Sequence, residues 1–165
     1  MYPDRIKIAL ISLLALALLG ACGSGTRQVR GESPLISLDH LTRSEQEVVL
    51  GLGLRNVNDR PLELEYVQLI LRLEDQILLE TETATGIDVS ARGREVLRIT
   101  GPAQAAGLEI LDRLSPGGVT AHPDGPLSRA SWTMEVNLTN ARGRTERIES
   151  SGFLHPAPGQ PNRFR

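Results

Sequence analysis

The side chains able to take part in acid–base or nucleophilic chemistry occur in two short segments. One is the adjacent pair Asp39 and His40, and the other contains His122, Asp124 and Ser128. A carboxylate, an imidazole and a hydroxyl are the groups of Ser-His-Asp catalysis, but sequence spacing cannot show whether they meet in space. Because the chain has no Gly-x-Ser-x-Gly elbow, we interpret both segments as turns and surface, and we predict no catalytic residue.

Several charged residues are spaced so that one strand face would present them together. Glu45 with Glu47, and Glu63 with Glu65, are carboxylate pairs two residues apart, and strand geometry places such residues on one side. A Ca²⁺ site needs more oxygen ligands than either pair supplies, so no metal is predicted. A basic cluster could meet lipid phosphates, although a solvated strand edge is the simpler interpretation. Its members are Arg92, Arg94 and Arg98.

The composition excludes several classes of protein. The 165 residues include one Cys and three His, and the formal net charge is −2. A single Cys cannot form an intramolecular disulfide, and with three scattered His it disfavours a zinc site. The negative charge and an aromatic content of 3% argue against nucleic-acid binding. We therefore predict no cofactor and no nucleic-acid partner.

Residues 1–21 have the pattern of a signal peptide. Arg5 and Lys7 provide a basic start, and a 12-residue apolar run covers residues 8–19. A membrane-spanning helix needs about 17–25 residues, so this run is short for a span and typical of a signal-peptide core. The run ends in Leu19-Gly20-Ala21-Cys22.

This ending resembles the lipobox of bacterial lipoproteins, in which an apolar residue and two small residues precede a Cys. The resemblance implies cleavage between Ala21 and Cys22 by the lipoprotein signal peptidase, and acylation of Cys22. Two or three acyl chains on one residue are sufficient for stable membrane anchoring. Gly23 after the Cys, with no Asp there, points to the outer membrane, with the protein facing the periplasm. A plain secretory signal and an uncleaved anchor helix are the alternatives.

Composition divides the mature chain into three parts. Cys22 and the polar residues up to Glu32 are predicted to form a flexible tether. Residues 33–155 contain short apolar runs separated by turn residues, which is typical of an antiparallel β domain. Residues 156–165 form a Pro-rich tail that we predict to be extended or disordered. The predicted strands span residues 35–41, 47–55, 62–73, 77–85, 87–89, 95–100, 131–138 and 144–154.

The apolar pattern of the β domain predicts a bulge in the third strand and one short helix. The apolar phase of the third strand changes between Tyr66 and Val67, which predicts a β-bulge that keeps both halves facing the core. Residues 102–114 change to helical spacing. The expected inner side of that helix consists of Ala105, Leu108, Leu111 and Leu114. Seven or eight strands with one short helix predict two packed sheets, a β-sandwich, with Trp132 in its core.

The turn between the second and third strands carries a family resemblance. Asn56-Val57-Asn58 follows an alternating apolar strand, and Pro61-Leu62 begins the next strand. The segment 33–102 resembles the water-stress and hypersensitive-response (WHy) domain of the type 2 late-embryogenesis-abundant (LEA) proteins. Asn56, Asn58, Pro61 and Leu62 match the family pattern, whereas Val57 stands where the family has Pro.

The resemblance implies an immunoglobulin/fibronectin-III-like sandwich, a role linked to desiccation or other stress, and no enzymatic activity. We interpret the motif residues as turn-forming and assign them no ligand. The sequence therefore predicts a non-enzymatic lipid-anchored protein that acts as a protective or interaction module on envelope proteins or unfolded clients. The alternative is an envelope carrier lipoprotein that binds a lipid or another apolar ligand between its sheets.

Overall fold

The structure is a computed structural model that describes residues 28–115 and 125–165. The predicted signal peptide, Cys22, His122 and Asp124 lie outside the described residues. The described part contains eight strands and one helix. The strands are β1 (Leu35–Ser44), β2 (Glu47–Arg55), β3 (Leu62–Leu73), β4 (Gln76–Val89), β5 (Arg94–Pro102), β6 (Ala130–Asn140), β7 (Thr145–Leu154) and β8 (Arg163–Phe164), and the helix is α1 (Ala105–Leu114).

The strands form two four-stranded antiparallel sheets. One has the order β5-β2-β1-β8 and the other the order β4-β3-β6-β7. Their facing sides bury a core rich in leucine, which confirms the predicted β-sandwich. Strand β2 shows why the sequence folds this way, since its alternating residues Val48, Leu50, Leu52 and Leu54 are all completely buried. Each such leucine or valine contributes roughly 1.5–3 kcal/mol when it leaves water.

A β-bulge in β3 lies slightly earlier than the sequence predicts. The register of β3 with both of its neighbours shifts between Leu64 and Tyr66. Leu64 therefore faces the core at 3% exposure, whereas Tyr66 is turned outward and is 46% exposed. The prediction of a bulge is right, but its assignment of Tyr66 to the core face is wrong. The phenol ring carries a polar hydroxyl, so the outward position leaves it hydrated.

Strand β4 is a single strand of 14 residues rather than the two that the sequence predicts. The sequence suggested a break near Gly86, and the structure places Gly86 at φ 53° within a continuous strand. The pairing passes directly from Ala84 to Ile87 on β4. A glycine accommodates this positive φ without strain, so the strand bends and its pairing continues.

Helix α1 begins three residues later than the predicted start. Pro102 is the last residue of the edge strand β5, and α1 runs from Ala105 to Leu114. Its buried face consists of Gly107, Ile110, Leu111 and Leu114. Ala105 is exposed and Leu108 is only partly buried, so two of the four predicted inward positions are correct. The face is rotated because Gly107 lies directly against Leu78 of β4, which brings the helix close to the sheet.

The C-terminal segment is an integral part of the sandwich, so of the two predicted alternatives, extended or disordered, the structure excludes disorder. β8 pairs with β1 through Leu41 and Phe164, and Phe164 is 1% exposed. The backbone N–H of His155 donates to the carbonyl of Arg165 at 2.9 Å, with a reciprocal bond of 2.9 Å. The Pro-rich stretch thus forms a loop that returns an aromatic anchor to the core.

Candidate functional site

The residues that match the family pattern lie in the loop between β2 and β3, here called the motif loop (residues 56–61). Asn56 is 1% exposed and is the only buried polar residue in the described ranges. Its Nδ2 donates to the carbonyls of Arg60 at 2.7 Å and Ser90 at 3.1 Å, and its Oδ1 accepts the Asn58 N–H at 3.0 Å. Since a buried amide without partners is costly, this side chain fixes the motif loop against the turn after β4.

The motif loop also binds the segment that precedes the sandwich. Asn58 Nδ2 donates to the carbonyl of Glu32 at 2.7 Å, and the Glu32 N–H donates to Asn58 Oδ1 at 2.9 Å. Asp59 Oδ2 accepts the Val29 N–H at 2.6 Å, and the Asp59 N–H donates to the Val29 carbonyl at 3.0 Å. Residues 28–32, here called the docked tether, are therefore attached to the domain. The sequence predicted a flexible tether over these residues.

The charge of Asp59 contributes to this attachment. Arg92 Nε donates to Asp59 Oδ1 at 2.7 Å. Hydrogen bonding from the Arg92 guanidinium, and then from the backbone N–H of Val29, lowers the pKa of the Asp59 carboxyl below its usual value of 3.8. In the sequence, Asp59 follows the Asn56-Val57-Asn58 turn, and Arg92 belongs to a separate basic cluster. Only the fold brings the two side chains together with the tether.

A cleft of about 300 Å³ lies beside the docked tether. We call it the tether-end cleft. Its apolar wall includes Pro34, Pro61, Leu62, Leu64 and Leu138, while its charged residues are Arg30, Arg60, Arg142, Arg144, Glu32, Glu63 and Glu146. Pro61 ends the motif loop and Leu62 begins β3, so these two motif residues form part of the wall. The arginines come from three segments that sequence reasoning did not connect.

The arginines at the tether-end cleft are held by local turn chemistry. Arg142 and Arg144 lie at the β6–β7 turn, where Asn140 Oδ1 accepts both of their backbone N–H groups at 3.0 Å. Gly143 completes the turn with φ 73°, a conformation that favours glycine. The turn was predicted, but the position of its two guanidinium groups beside the motif loop was not.

Asp39 contacts both His40 and Arg94 on the outer face of the first sheet. Asp39 Oδ2 lies 3.2 Å from His40 Nδ1, and Arg94 Nη2 donates to Asp39 Oδ1 at 2.8 Å. Both carboxylate oxygens of Asp39 therefore have partners. These contacts orient the imidazole and bridge β1 to β5 across β2. Ser128 is exposed, while His122 and Asp124 lie outside the described residues.

The glycines of β2 provide the surface on which His40 lies. A Cβ at Gly51 would be 2.5 Å from His40 Cε1, and one at Gly53 would clash with the Ser37 hydroxyl. The alternation of β2 places both glycines on one face of the strand, opposite the face of Leu50, Leu52 and Leu54. The structure gives them a packing role, because only glycine allows the β1 side chains to lie flat across the sheet.

Two of the charged groups that the sequence spacing suggests, the Glu45/Glu47 pair and the basic cluster, do not form in the structure. Glu45 lies in the β1–β2 turn at φ 51°, so it does not share a strand face with Glu47. Arg92 and Arg94 bind different carboxylates, Asp59 and Asp39, rather than forming one basic cluster with Arg98. Within residues 28–115 and 125–165, no group of three or more His, Cys, Asp or Glu side chains is arranged to hold a metal ion.

The second sheet holds the indole of Trp132 in the core. Trp132 is 8% exposed, so it belongs to the core as predicted, and Met134, two residues further on, is 1% exposed. Gly152 makes room for the indole, since a Cβ there would lie 2.9 Å from Trp132 Cζ2. None of the helical segments described has the length and apolar character needed to cross a membrane.

The fold and the docked tether define a two-sheet β-sandwich with a short helix and an N-terminal segment fixed at one end. The solution structure of the Arabidopsis thaliana protein AT1g01470 is similar, with a TM-score of 0.55 and 14% identity over 82% of this chain and 90% of that chain. At this identity the likeness concerns the fold. No protein-family model matches the chain, and no curated protein sequence matches it.

Two other solved structures overlap this chain less closely. The solution structure of At2g46140.1, a protein provisionally assigned to the LEA proteins, has a TM-score of 0.48 and 13% identity over 92% of this chain and 86% of that chain. A protein from Archaeoglobus fulgidus has a TM-score of 0.42 and 10% identity over 76% of this chain and 97% of that chain.

Proposed function

We propose that this chain is a non-enzymatic lipoprotein of the bacterial cell envelope, anchored in the outer membrane through acyl chains on Cys22 and facing the periplasm. The sequence Leu19-Gly20-Ala21-Cys22 supports the anchor. The observation that carries the proposal is the attachment that follows it, since Val29 and Glu32 are bonded to the motif loop. The sandwich is thereby held close to the residue that would carry the lipid.

The domain acts in this proposal as a WHy/LEA type 2 module with a protective or interaction role during desiccation or other stress. The motif residues Asn56 and Asn58 and the β-sandwich fold support this assignment. Strand β7 ends its sheet, so one side of its backbone ladder can pair with an extended segment of a client or envelope protein. Phe153 on this strand is 54% exposed and adds an apolar contact beside that edge.

The described core disfavours the alternative of a carrier for an apolar ligand between the sheets. Leucines from both sheets meet at the centre and are completely buried, among them Leu50, Leu52 and Leu71. A core filled by buried side chains from both sheets leaves little space for a ligand. The tether-end cleft lies at one end of the sandwich, and its rim is charged.

The anchor is tested with the variant Cys22→Ser in the native host. We expect the wild-type protein to incorporate labelled palmitate and to sediment with outer membranes, and the variant to lose both properties. Ser24→Ala changes a neighbouring tether residue and should behave as the wild type. Membrane retention of Cys22→Ser without acylation would contradict the proposal.

The protective role is tested separately by heating or drying a test enzyme with the acylated protein in detergent. We expect less aggregation of the enzyme than with an equal mass of albumin in the same detergent. A pull-down from the native envelope examines the interaction role, and a stoichiometric folded partner would favour an adaptor. Absence of both protection and a partner would contradict the proposed module, whatever the result for Cys22.

A further inference from the structure

Four arginines surround the tether-end cleft and form what we call the arginine rim: Arg30, Arg60, Arg142 and Arg144. All four residues are exposed. They come from the docked tether, the motif loop and the β6–β7 turn, which the fold brings to one end of the sandwich. The guanidinium groups therefore line one opening although they are distant in sequence.

The arginine rim is not neutralised by ion pairs. In the ranges that the structure describes, the guanidinium groups of Arg60, Arg142 and Arg144 form no salt bridge. The Arg30 guanidinium donates to the neutral side chain of Gln28. Three carboxylates also line the cleft, and that of Glu146 accepts a hydrogen bond from the Ser33 hydroxyl. The other two belong to Glu32 and Glu63.

The described loops at the two ends of the sandwich differ in net charge, although Asp59 lies at the tether end and Arg129 at the opposite end. At the tether end, the unpaired Arg60, Arg142 and Arg144 lie in loops or turns. At the opposite end, the β1–β2 turn contains Glu45 and the β3–β4 turn contains Glu74 and Asp75. A surface of anionic phosphates would attract the first end and repel the second, so this distribution favours one orientation at such a surface.

The covalent chain brings the arginine rim close to the proposed anchor, and this step rests on the proposed function. Six residue steps separate Cys22 from Gln28, which limits their distance to about 20 Å even when fully extended. Hydrogen bonds from Asn58 and Asp59 then hold Glu32 and Val29 against the motif loop. The end that carries the arginine rim is therefore the end nearest the lipid.

We propose that the arginine rim binds the phosphate groups of anionic phospholipids in the membrane that holds the anchor. A guanidinium group donates two parallel hydrogen bonds to phosphate oxygens, and it is weakly hydrated, so it suits a headgroup layer. The accessible apolar part of the cleft, formed by Pro61 and Leu62, offers a surface for the glycerol backbone between the charged groups. Such contacts orient the sandwich with its β7 edge exposed to the periplasm.

The test uses the full acylated protein in vesicles of phosphatidylcholine, with or without an equal part of phosphatidylglycerol. We expect amide hydrogen exchange in residues 56–61 and 140–144 to slow by at least about fivefold in the anionic vesicles. The variant Arg60→Gln/Arg142→Gln/Arg144→Gln should lose this protection. The control Arg72→Gln/Arg98→Gln/Arg165→Gln removes the same charge elsewhere and should retain it.

Three results would contradict the proposal that the arginine rim binds phospholipid. They are equal exchange in both vesicles, full protection of the triple variant, and protection produced by inorganic phosphate alone. Mass spectrometry of the same sample reports acylation of Cys22. An acylated protein without loop protection disproves the rim and leaves the anchor, whereas an unmodified Cys22 with loop protection disproves the anchor and leaves the rim.

Discussion

Asn58 and Glu32 are joined by two hydrogen bonds in which the side-chain amide of Asn58 pairs with the backbone of Glu32. The donor–acceptor distances are 2.7 Å and 2.9 Å. This pairing imitates a strand ladder with a side chain in place of a second backbone. It attaches the end of the polar tether to the domain. The chain therefore enters the sandwich at the end that carries the motif loop.

Removal of the Asn58 amide should release the docked tether without unfolding the domain. Each hydrogen bond contributes about 1 kcal/mol, so Asn58→Ala should speed exchange of the Glu32 amide about tenfold or more. Hydrogen exchange followed by NMR measures this change. Gln28→Ala removes only a contact with Arg30 and should leave the Glu32 amide protected. Unchanged exchange in Asn58→Ala would show that the tether is held by other contacts.

Asn56→Ala should destabilise the whole sandwich, because its amide is the buried link between the motif loop and the turn after β4. The carbonyls of Arg60, Val89 and Ser90 would lose a donor. We expect a loss of about 2–3 kcal/mol in the free energy of unfolding, measured with urea. Asn137→Ala on the outer face should change stability by less than about 0.5 kcal/mol. Similar effects of the two substitutions would contradict this role.

The attachment of the tether should weaken at low pH through Asp59. Its folded-state pKa lies below 3.8, so its stabilising effect is complete above pH 3.8 and is lost as the pH falls through the lowered value. The NMR shift of the Val29 amide should move in this acidic range. Asp59→Asn should abolish the transition, whereas Asp88→Asn, which changes an exposed carboxylate, should retain it. If the acidic transition of the Val29 amide persists in Asp59→Asn, a group other than Asp59 causes it.

Gly107→Ala should destabilise the domain, although the same change usually stabilises a helix by about 1 kcal/mol. A Cβ at Gly107 would lie 2.5 Å from Leu78 Cα, so α1 would have to move away from β4. We expect a net loss of about 1–3 kcal/mol in urea unfolding. Ala106→Ser, on the exposed side of the same turn, should have little effect. A stabilised Gly107→Ala variant would disprove the close approach.

Phe164→Ala should cost about 3–5 kcal/mol, because the ring is buried against the first sheet. Thermal unfolding measures the loss. Phe153→Ala provides a matched control, since that ring is 54% exposed. Its only described aromatic contact is with Arg129, whose Cζ lies 4.5 Å from the ring centroid. The Phe153→Ala substitution should lower the free energy of unfolding by about 1 kcal/mol or less. Equal stability of Phe164→Ala and the wild type would show that the C-terminal segment does not contribute to the core.

The sequence by itself determined the elements whose signal is local. The alternation in β2 predicted its exact bounds, because every second side chain must avoid water. The bounds of β3 and the turn at Asn140 followed from the same period and from residues that bond their own backbone. The lipobox pattern and the Asn-x-Asn turn are likewise readable without coordinates, which is why they supply the hypotheses of function.

The tertiary structure decided the features that depend on residues distant in sequence. Tyr66 faces outward because of the register of β3 with both neighbours, and Phe164 is buried because β8 completes the sheet beside Leu41. Asp59, Arg92 and Val29 form one cluster, and four arginines surround one cleft, only after the loops meet at one end. Local periodicity cannot encode such contacts, since their free energy arises when separate segments exclude water together.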